Sequence, residues 1–278
     1  MQEKVNTAIE RLKLAADMSD RYFHKPLEVC ISGGKDSSVI QQLAIESGVP
    51  CRFTHNLTTA DAPETVRFVK DEFHYLKTCL GYSAEIQQPP ISMWKLIVQK
   101  KYPPTRLARY CCQVLKERAI KEECFVVTGV RWAESPKRKA TRSTYEVRGN
   151  TVKDRIKTDD DPERMLFETC IKNRQRICNP IIDWTDADVW EYLKSRSVPH
   201  NPLYDEGRKR VGCIGCPLAP KCQRTKDFER WPKYKENYIR AFEKNDNRQE
   251  RIKSKMYMGI RTRSVQLVDR FPCRIICL

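Results

Sequence analysis

A six-residue segment near the N-terminus has the composition of a phosphate-binding turn. It consists of Ser32, Gly33, Gly34, Lys35, Asp36 and Ser37. Two glycines let the backbone turn tightly, and successive N–H groups at the start of a helix attract anions. The Gly-x-x-x-x-Gly-Lys-Ser/Thr spacing of a Walker A loop is absent. A bare Gly-Gly turn is usually structural, but the whole hexapeptide between a strand and a helix predicts a nucleotide phosphate site.

Four cysteines are spaced as metal ligands are. They are Cys111, Cys112, Cys213 and Cys216. A Cys-x-x-Cys turn points two thiolates at one centre, and a second pair completes a four-sulfur site. Zinc and iron–sulfur clusters both accept four thiolates, and the spacing alone modestly favours structural zinc. The chain has 13 cysteines, an odd number that argues against a disulfide framework in a reducing compartment.

The elements that must position these residues alternate along the chain. Apolar periodicity predicts an opening helix over residues 5–16. Strands are predicted at residues 27–31, 52–57, 83–87, 125–130 and 177–182. Further helices are predicted at residues 37–47, 63–76, 93–101, 106–123 and 185–194. Strands separated by helices indicate an α/β fold with a doubly wound parallel sheet.

The charge of the chain is concentrated in two stretches. The 278 residues include 52 Lys and Arg against 36 Asp and Glu, a formal net charge of +16. Residues 137–176 hold 12 basic and 7 acidic residues, and residues 221–263 hold 14 and 6. We expect the first stretch to be a surface insertion and the second to be a basic helical C-terminal region. The predicted domains are therefore residues 1–220 and 221–278.

Aromatic residues are interleaved with the basic residues of the C-terminal region. They are Phe228, Trp231, Tyr234, Tyr238 and Phe242. Such residues either face a polyanion together with the basic side chains or pack on the core behind a solvated basic face, and the sequence leaves both open.

Composition also excludes whole classes of protein. An apolar content of 40% argues against a disordered chain. No stretch approaches the roughly 18 to 20 apolar residues of a membrane span, and the N-terminus lacks the apolar core of a signal peptide. We therefore expect a soluble, cytoplasmic protein without a membrane partner.

The loop and several later motifs resemble a known family. The hexapeptide is similar to the pyrophosphate loop of the N-type ATP pyrophosphatases, also called PP-loop enzymes. Four further blocks resemble the phosphoadenosine phosphosulfate (PAPS) reductase branch, and they lie at residues 127–135, 179–190, 201–205 and 212–216. The resemblance covers about residues 25–220. It implies a sheet of the adenine nucleotide alpha hydrolase-like type.

The resemblance also implies a nucleotide site. An adenine nucleotide would lie at the carboxyl edge of the sheet, with its phosphates on residues 32–37. Leu57, Thr58 and Gly129 would contact it, although Thr58-Thr59-Ala60 stands where the family has Asp-Thr-Gly. Lys35 and Arg131 would stabilise phosphate charge, and Asp36 would help to hold Mg²⁺.

The cysteine spacing is similar to the 4Fe-4S pattern of the adenylylsulfate reductases. The resemblance therefore favours a 4Fe-4S cluster over zinc at the four named cysteines. Lys116 matches a family lysine near cluster and substrate. Cys222 is either a substitute ligand or a nearby reactive thiol. Five cysteines in or beside apolar segments are expected to be small buried hydrophobes, namely Cys30, Cys51, Cys79, Cys124 and Cys178.

The C-terminal residues separate the candidate reactions. Assimilatory reductases of the family end in Glu-Cys-Gly-Leu-His, whereas this chain carries Cys273 and Cys277 in another context. We therefore expect an ATP pyrophosphatase that adenylylates an acceptor for sulfur incorporation. It would resemble enzymes of DNA phosphorothioation or tRNA thiolation, with DNA or tRNA as acceptor and a cysteine desulfurase or another sulfur donor as partner. A thioredoxin-dependent adenylylsulfate or PAPS reductase and a non-catalytic, ATP-sensing DNA-binding protein remain alternatives.

Overall fold

The computed structural model describes residues 1–117, 125–148, 155–158 and 175–254. The chain divides into two compact units. Unit 1 comprises Met1–His55, Pro63–Gln87 and Ala119–Val211, and unit 2 comprises Asn56–Ala62, Gln88–Arg118 and Gly212–Leu278. These units do not follow the predicted boundary at residue 220, because two earlier segments fold with the C-terminal region.

The described strands form one seven-stranded sheet. They are β1 (Leu27–Cys30), β2 (Cys51–Asn56), β3 (Ser83–Gln87), β4 (Phe125–Val127), β5 (Tyr145–Arg148), β6 (Arg155–Thr158) and β7 (Gln175–Cys178). Their order is β3-β2-β1-β4-β7-β5-β6. Strand β1 runs parallel to β2 and β4, and β4 runs parallel to β7, whereas β5 is antiparallel to both β7 and β6.

Helices separate the parallel strands, as the hydrophobic periodicity predicts. The α-helices are α1 (Gln2–Phe23), α2 (Lys35–Ser47), α3 (Pro63–Thr78), α4 (Met93–Lys100), α5 (Pro136–Thr141), α6 (Asp186–Ser195), α7 (Lys221–Arg230) and α8 (Pro232–Ser254). In unit 1, α1 packs against β1, β4 and β7, and α2 packs against β1 and α6. The α/β fold class is confirmed. Among the described residues, no helix is both long and apolar enough to cross a lipid bilayer.

The predicted insertion at residues 137–176 lies in the sequence between the paired parallel strands β4 and β7, but its described part is not confined to the surface. Strand β5 extends the sheet beside β7, and Tyr145 and Val147 are buried in the core. Glu146 between them is also buried, where the guanidinium of Arg142 contacts its carboxylate at 2.7 Å. Strand β5 is not predicted from the sequence, because its two apolar residues lie in a run of charged residues and give too short an apolar–polar alternation to detect.

Three other predicted elements are shorter than expected. In place of the helix over residues 106–123, the described residues show helical backbone from Tyr110, with a π-helical turn at Cys112–Lys116. Residues 118–123 lie outside the described residues. Strand β4 ends at Val127 and β7 ends at Cys178, so both strands stop before the loops that carry the predicted site motifs.

Gly33 and Gly48 provide a matched test of the turn before α2. Both have positive φ, but a Cβ at Gly33 would lie 2.7 Å from Cγ2 of Thr65, whereas a Cβ at Gly48 would meet nothing within 4 Å. We expect Gly33→Ala to lower the free energy of unfolding by about 2–4 kcal/mol, because steric overlap adds to backbone strain. Gly48→Ala should cost about 1 kcal/mol. Urea denaturation measures both, and equal losses would contradict the close packing of Gly33.

Candidate functional site

Residues 32–37 form a tight turn between β1 and α2 in unit 1. The hydroxyl of Ser37 accepts a hydrogen bond from the N–H of Gly34 at 3.1 Å and donates to the Gly34 carbonyl at 2.7 Å. The Ser32 and Ser37 hydroxyl oxygens are 3.2 Å apart. Both serines therefore hold the turn itself, and the helix begins at Lys35 with its first N–H groups at the turn.

A buried asparagine fixes this turn from outside. The side-chain amide of Asn201 donates to the carbonyl of Gly33 at 2.9 Å and to the hydroxyl of Thr65 at 3.0 Å. Its oxygen accepts from the N–H of Leu203 at 3.1 Å. Asn201 is fully buried, and these hydrogen bonds offset the free-energy cost of removing its amide from water. Its motif is visible in the sequence, but nothing there shows that its amide holds the loop.

Gly129 lies against the same turn. A Cβ at this position would be 2.9 Å from the carbonyl oxygen of Asp36. The structure thus brings Gly129 together with residues 32–37, as the motifs imply. A contact between Gly129 and a nucleotide stays a prediction.

A four-residue charge network lies beside the turn. The Arg131 guanidinium, 1% exposed, donates through Nε to Asp36 at 2.7 Å and through a terminal nitrogen to Asp186 at 2.5 Å. Its remaining terminal nitrogen donates to the carbonyl of Trp184 at 3.2 Å. The Lys35 ammonium is 3.4 Å from Asp36 and 3.3 Å from Asp186. Two cations and two carboxylates therefore share one location.

This network changes the role expected for Arg131. Both carboxylates hold its guanidinium, so contact with a phosphate would require one of them to exchange. Partial burial acts to raise the pKa of Asp186, but the hydrogen bond from Arg131 and the charge of Lys35 lower it below the usual value. Asp186 is 73% exposed and thus accessible to a ligand. The sequence does not mark Asp186 as a site residue, because an aspartate at that position is also typical of the first turn of a helix.

The four candidate metal ligands lie in unit 2. The hydrogen bond between the Cys111 and Cys112 thiols and the burial of Cys111 raise the pKa of Cys111. That same bond, aided by Arg109, lowers the pKa of Cys112 below its usual value. Cys213 and Cys216 also contribute to the shift at Cys111, so all four sulfurs interact electrostatically. The structure therefore brings the two distant cysteine pairs together.

Close packing shapes the Cys-x-x-Cys turn. Gly215 has a φ of +67°, and a Cβ there would lie 2.6 Å from the Phe228 ring. The hydroxyl of Tyr238 donates to the carbonyl of Ile214 at 3.0 Å, and the Ile214 N–H donates to the carbonyl of Ala60 at 2.8 Å. Helices α7 and α8 therefore position the turn that carries Cys213 and Cys216.

Thr58 and Lys116 lie beside these thiols. The Thr58 hydroxyl is 3.4 Å from the sulfur of Cys213, and the Thr58 N–H donates to the Asp61 carboxylate at 2.7 Å. Negative charge at Cys213 and at Asp61 raises the pKa of Lys116. The nucleotide contact expected of Leu57 and Thr58 stays a prediction. What the structure shows for Thr58 is a contact with a thiol.

The donor chemistry of this site fits an iron–sulfur cluster or zinc, since all four thiols are free and electrostatically linked. Their arrangement is not that of a preformed metal site. Within residues 1–117, 125–148, 155–158 and 175–254, no group of three or more His, Cys, Asp or Glu side chains has the arrangement that would hold a metal ion. Metal binding at these cysteines remains a proposal.

Comparison with known proteins assigns the chain to a family. The family model for the phosphoadenosine phosphosulfate reductase domain matches residues 26–219. The chain belongs to this family. The match includes the phosphate turn, the charge network and all four candidate ligand cysteines, so both sites lie within the PAPS reductase domain.

The curated relatives include an uncharacterised phage protein and adenosine 5′-phosphosulfate reductases. An uncharacterised 37.8 kDa protein of Escherichia phage 186 is 26% identical over 241 residues, which are 73% of this chain and 70% of that protein. The adenosine 5′-phosphosulfate reductase of Burkholderia cepacia is 45% identical over 134 residues, 47% of this chain and 44% of the reductase. The corresponding reductase of Lysinibacillus sphaericus is 26% identical over 157 residues, 55% of each. The chain thus spans about half the length of these reductases.

Two solved structures are similar to this chain over most of its length. A PAPS reductase from Candida auris is 20% identical, with a TM-score of 0.49 over 74% of this chain and 88% of that one. The U34-tRNA thiolase NcsA of Methanococcus maripaludis, solved with its 4Fe-4S cluster, is 11% identical, with a TM-score of 0.49 over 99% and 88%. Because both TM-scores are below 0.5, these likenesses do not bear on the chemistry of this chain.

The aromatic residues of the C-terminal region pack inward in this PAPS reductase family member. The Tyr238 ring lies 4.8 Å from Trp94 and 5.7 Å from Phe228, in edge-to-face geometry. Trp231 is buried, and Phe242 packs against the same apolar cluster. The sequence leaves open whether these rings face a polyanion or pack on the core, and the structure supports core packing.

The remaining cysteines are only partly as expected. Cys51 and Cys178 are buried, and burial raises the pKa of each thiol to about 12. Cys79 is exposed, so the prediction of a buried hydrophobe is wrong there, because the residue follows the last turn of α3. Cys30 is half-buried, and Cys222 is exposed. Cys124, Cys273 and Cys277 lie outside the described residues.

Arg131→Met tests the charge network. It leaves two carboxylates with only Lys35, and we expect it to lower the free energy of unfolding by about 3 kcal/mol at neutral pH. The loss should shrink as the pH falls below 4, because Asp186 owes its lowered pKa partly to Arg131, and that stabilisation disappears as Asp186 is protonated. Denaturation at several pH values measures this.

Arg21→Met is the control for Arg131→Met. Arg21 pairs with Asp17 on an exposed face of α1, so its loss should cost no more than about 0.5 kcal/mol. If both variants lost the same stability at every pH, the Arg131 network would not contribute as described.

Proposed function

We propose that this protein is a PP-loop ATP pyrophosphatase that adenylylates an acceptor for sulfur incorporation. The observation that carries the proposal is a phosphate turn with two adjoining carboxylates, Asp36 and Asp186, which share Lys35 and Arg131. Cleavage of ATP at the α phosphorus releases pyrophosphate, which carries high negative charge. The turn offers N–H donors for that charge, and carboxylates beside it suit the divalent cation that accompanies ATP.

The turn would bind the β and γ phosphates through its N–H groups. An acceptor oxygen attacks the α phosphorus, a new phosphorus–oxygen bond forms, and the bond to pyrophosphate breaks. Lys35 would stabilise the charge that develops on the leaving pyrophosphate. Asp36 and Asp186 would hold Mg²⁺, which supplies further charge neutralisation at the phosphates. Arg131 would position both carboxylates, because its guanidinium donates to each of them.

Cys111, Cys112, Cys213 and Cys216 would hold a 4Fe-4S cluster. Four free thiols match its donor set, and the positive charge of Lys116 suits the negative charge of a thiolate-bound cluster. Bound there through four thiolates, the cluster would supply a redox-active, negatively charged centre beside Lys116. Zinc accepts the same donors, so metal analysis must separate the two.

A nucleic acid, DNA or tRNA, is the proposed acceptor. Support comes from charge on α7 and α8, whose exposed basic residues are Lys221, Lys226, Arg230, Lys233, Lys235, Arg240 and Lys244. Because the aromatic rings of this region pack inward, the region would contact phosphates and not stack on bases. A cysteine desulfurase or another sulfur donor would complete the reaction.

A second candidate is reduction of adenylylsulfate or PAPS. The 45% identity over 134 residues to an adenosine 5′-phosphosulfate reductase favours it. The same phosphate turn and the same four cysteines would serve that reaction. Sulfite formation would then require an external dithiol such as thioredoxin to supply the reducing electrons.

Pyrophosphate release distinguishes the two candidates. Anaerobically purified protein should release pyrophosphate from ATP with Mg²⁺, and DNA or tRNA should stimulate the release. Lys35→Ala should lower the rate about 100-fold, because charge stabilisation of the leaving group is lost. Lys70→Ala, at an exposed position of α3, is the matched control and should retain the native rate. Sulfite from adenylylsulfate or PAPS, without pyrophosphate from ATP, would contradict the proposal and support the reductase.

Iron content tests the four-thiol site. Anaerobic protein should be brown and carry about four iron atoms per chain, as one 4Fe-4S cluster requires. Cys213→Ser should lose the colour and most of the iron, whereas Cys79→Ser, at an exposed cysteine, should not. Cys222→Ser tests whether that thiol substitutes as a ligand. A colourless protein with one zinc per chain would refute the cluster.

A further inference from the structure

The hydroxyl of Tyr204 lies where a phosphate oxygen would bind at the turn. Its oxygen accepts a hydrogen bond from the N–H of Lys35, the first residue of α2, at 3.0 Å. The first N–H groups of a helix have no partner within the helix and are the donors that bind anions. We propose that Tyr204 is an occupancy sensor, whose phenol caps the Lys35 N–H in the free protein and is displaced when a nucleotide phosphate binds. This inference rests on the proposed function only in requiring that the turn binds phosphate.

Contacts within the fold hold the phenol beside the turn. Tyr204 ends the 3₁₀ turn Pro202–Tyr204, and its N–H donates to the carbonyl of Asn201 at 3.0 Å. Asn201 is bound to the carbonyl of Gly33, so the turn and the tyrosine share one anchor. The Trp190 ring packs edge to face against the Tyr204 ring at 5.3 Å, on the side chain that carries the phenol.

The phosphate turn is shaped to admit this hydroxyl. A Cβ at Gly34 would lie 3.3 Å from the Tyr204 oxygen, closer than nearly all such contacts. The absence of a side chain at Gly34 therefore lets the phenol reach the amide of Lys35. The Lys35 ammonium also lies 6.0 Å from the centre of the tyrosine ring. Phosphate entering the turn would meet the phenol at the first N–H of α2.

A phosphate oxygen should replace the Tyr204 phenol at the Lys35 N–H because the phosphate is charged. Burial raises the pKa of Tyr204 to about 12, although the N–H groups of Lys35 and Val211 act to lower it. The phenol is therefore neutral at physiological pH, and a phosphate oxygen is charged. Hydrogen bonds to a charged acceptor are roughly twice as strong as neutral ones. The Val211 N–H remains as a partner for the released phenol oxygen, so displacement does not strand a buried group.

Removal of the hydroxyl should strengthen phosphate binding. Tyr204→Phe keeps the ring against Trp190 and removes the competing acceptor. We expect the dissociation constant of inorganic pyrophosphate, measured by calorimetry, to fall about three- to tenfold, the range of one net hydrogen bond. Tyr192→Phe is the matched control. The phenol of Tyr192 is also buried in unit 1, but it interacts with Glu46 near the far end of α2. The Tyr192→Phe variant should therefore bind pyrophosphate with the same dissociation constant as the native protein.

Tryptophan fluorescence gives a readout that a purely structural role would not move. Pyrophosphate should change the emission of the native protein, because release of the phenol alters the surroundings of Trp190. The change should be absent in Trp190→Phe and reduced in Tyr204→Phe.

The outcomes separate this inference from the proposed function. Native or weaker pyrophosphate affinity in Tyr204→Phe, with clear binding to the native protein, would overturn the sensor and leave the phosphate turn intact. Failure of the native protein to bind pyrophosphate would overturn both.

Discussion

The hydrogen bond from the buried Asn201 amide to the carbonyl of Gly33 is the interaction on which the turn at residues 32–37 depends. It joins the phosphate turn to a segment about 170 residues later in the chain. The same side chain also binds Thr65 on α3, so one amide fixes the turn against two elements. Burying an amide is tolerable only when its donors and acceptor are satisfied, and here all three bonds are made within the site. The geometry of the turn is therefore set by hydrogen bonds within the protein.

The charge network imposes a second constraint, because Arg131 is buried and its carboxylate partners are not. A ligand that attracted Asp36 and Asp186 away would leave a guanidinium without its countercharges, which is costly in a buried position. A polyphosphate could replace those countercharges, whereas a cation alone could not. The network thus favours a ligand that brings anion and cation together. A nucleotide polyphosphate with its divalent cation has that composition.

The sequence allowed the phosphate turn, the parallel strands and the family to be predicted, because each depends on local patterns of several residues. Strand β5 could not be predicted, since its burial depends on pairing with β7, which no local pattern reveals. The ion pairs of Arg131 could not be predicted for a related reason, because its partners Asp36 and Asp186 are distant from it in sequence. The grouping of the four cysteines as metal ligands stays a prediction, because spacing cannot tell whether their sulfurs are arranged for a metal. Most of the structural features that could not be predicted depend on strand pairs or ion pairs between residues that are distant in the sequence.

The inward packing of the C-terminal aromatics narrows what the basic surface can recognise. Rings that pack around Tyr238 stabilise the turn bearing Cys213 and Cys216, so they serve the thiol site. A polyanion at this surface would meet the exposed lysines and arginines of α7 and α8 and would interact with them through charge alone. Contacts to phosphates carry no base information, and they weaken steeply with salt. If nucleic acid is the acceptor, selection of the modified position must therefore come from groups other than this surface, such as the site at which adenylylation occurs.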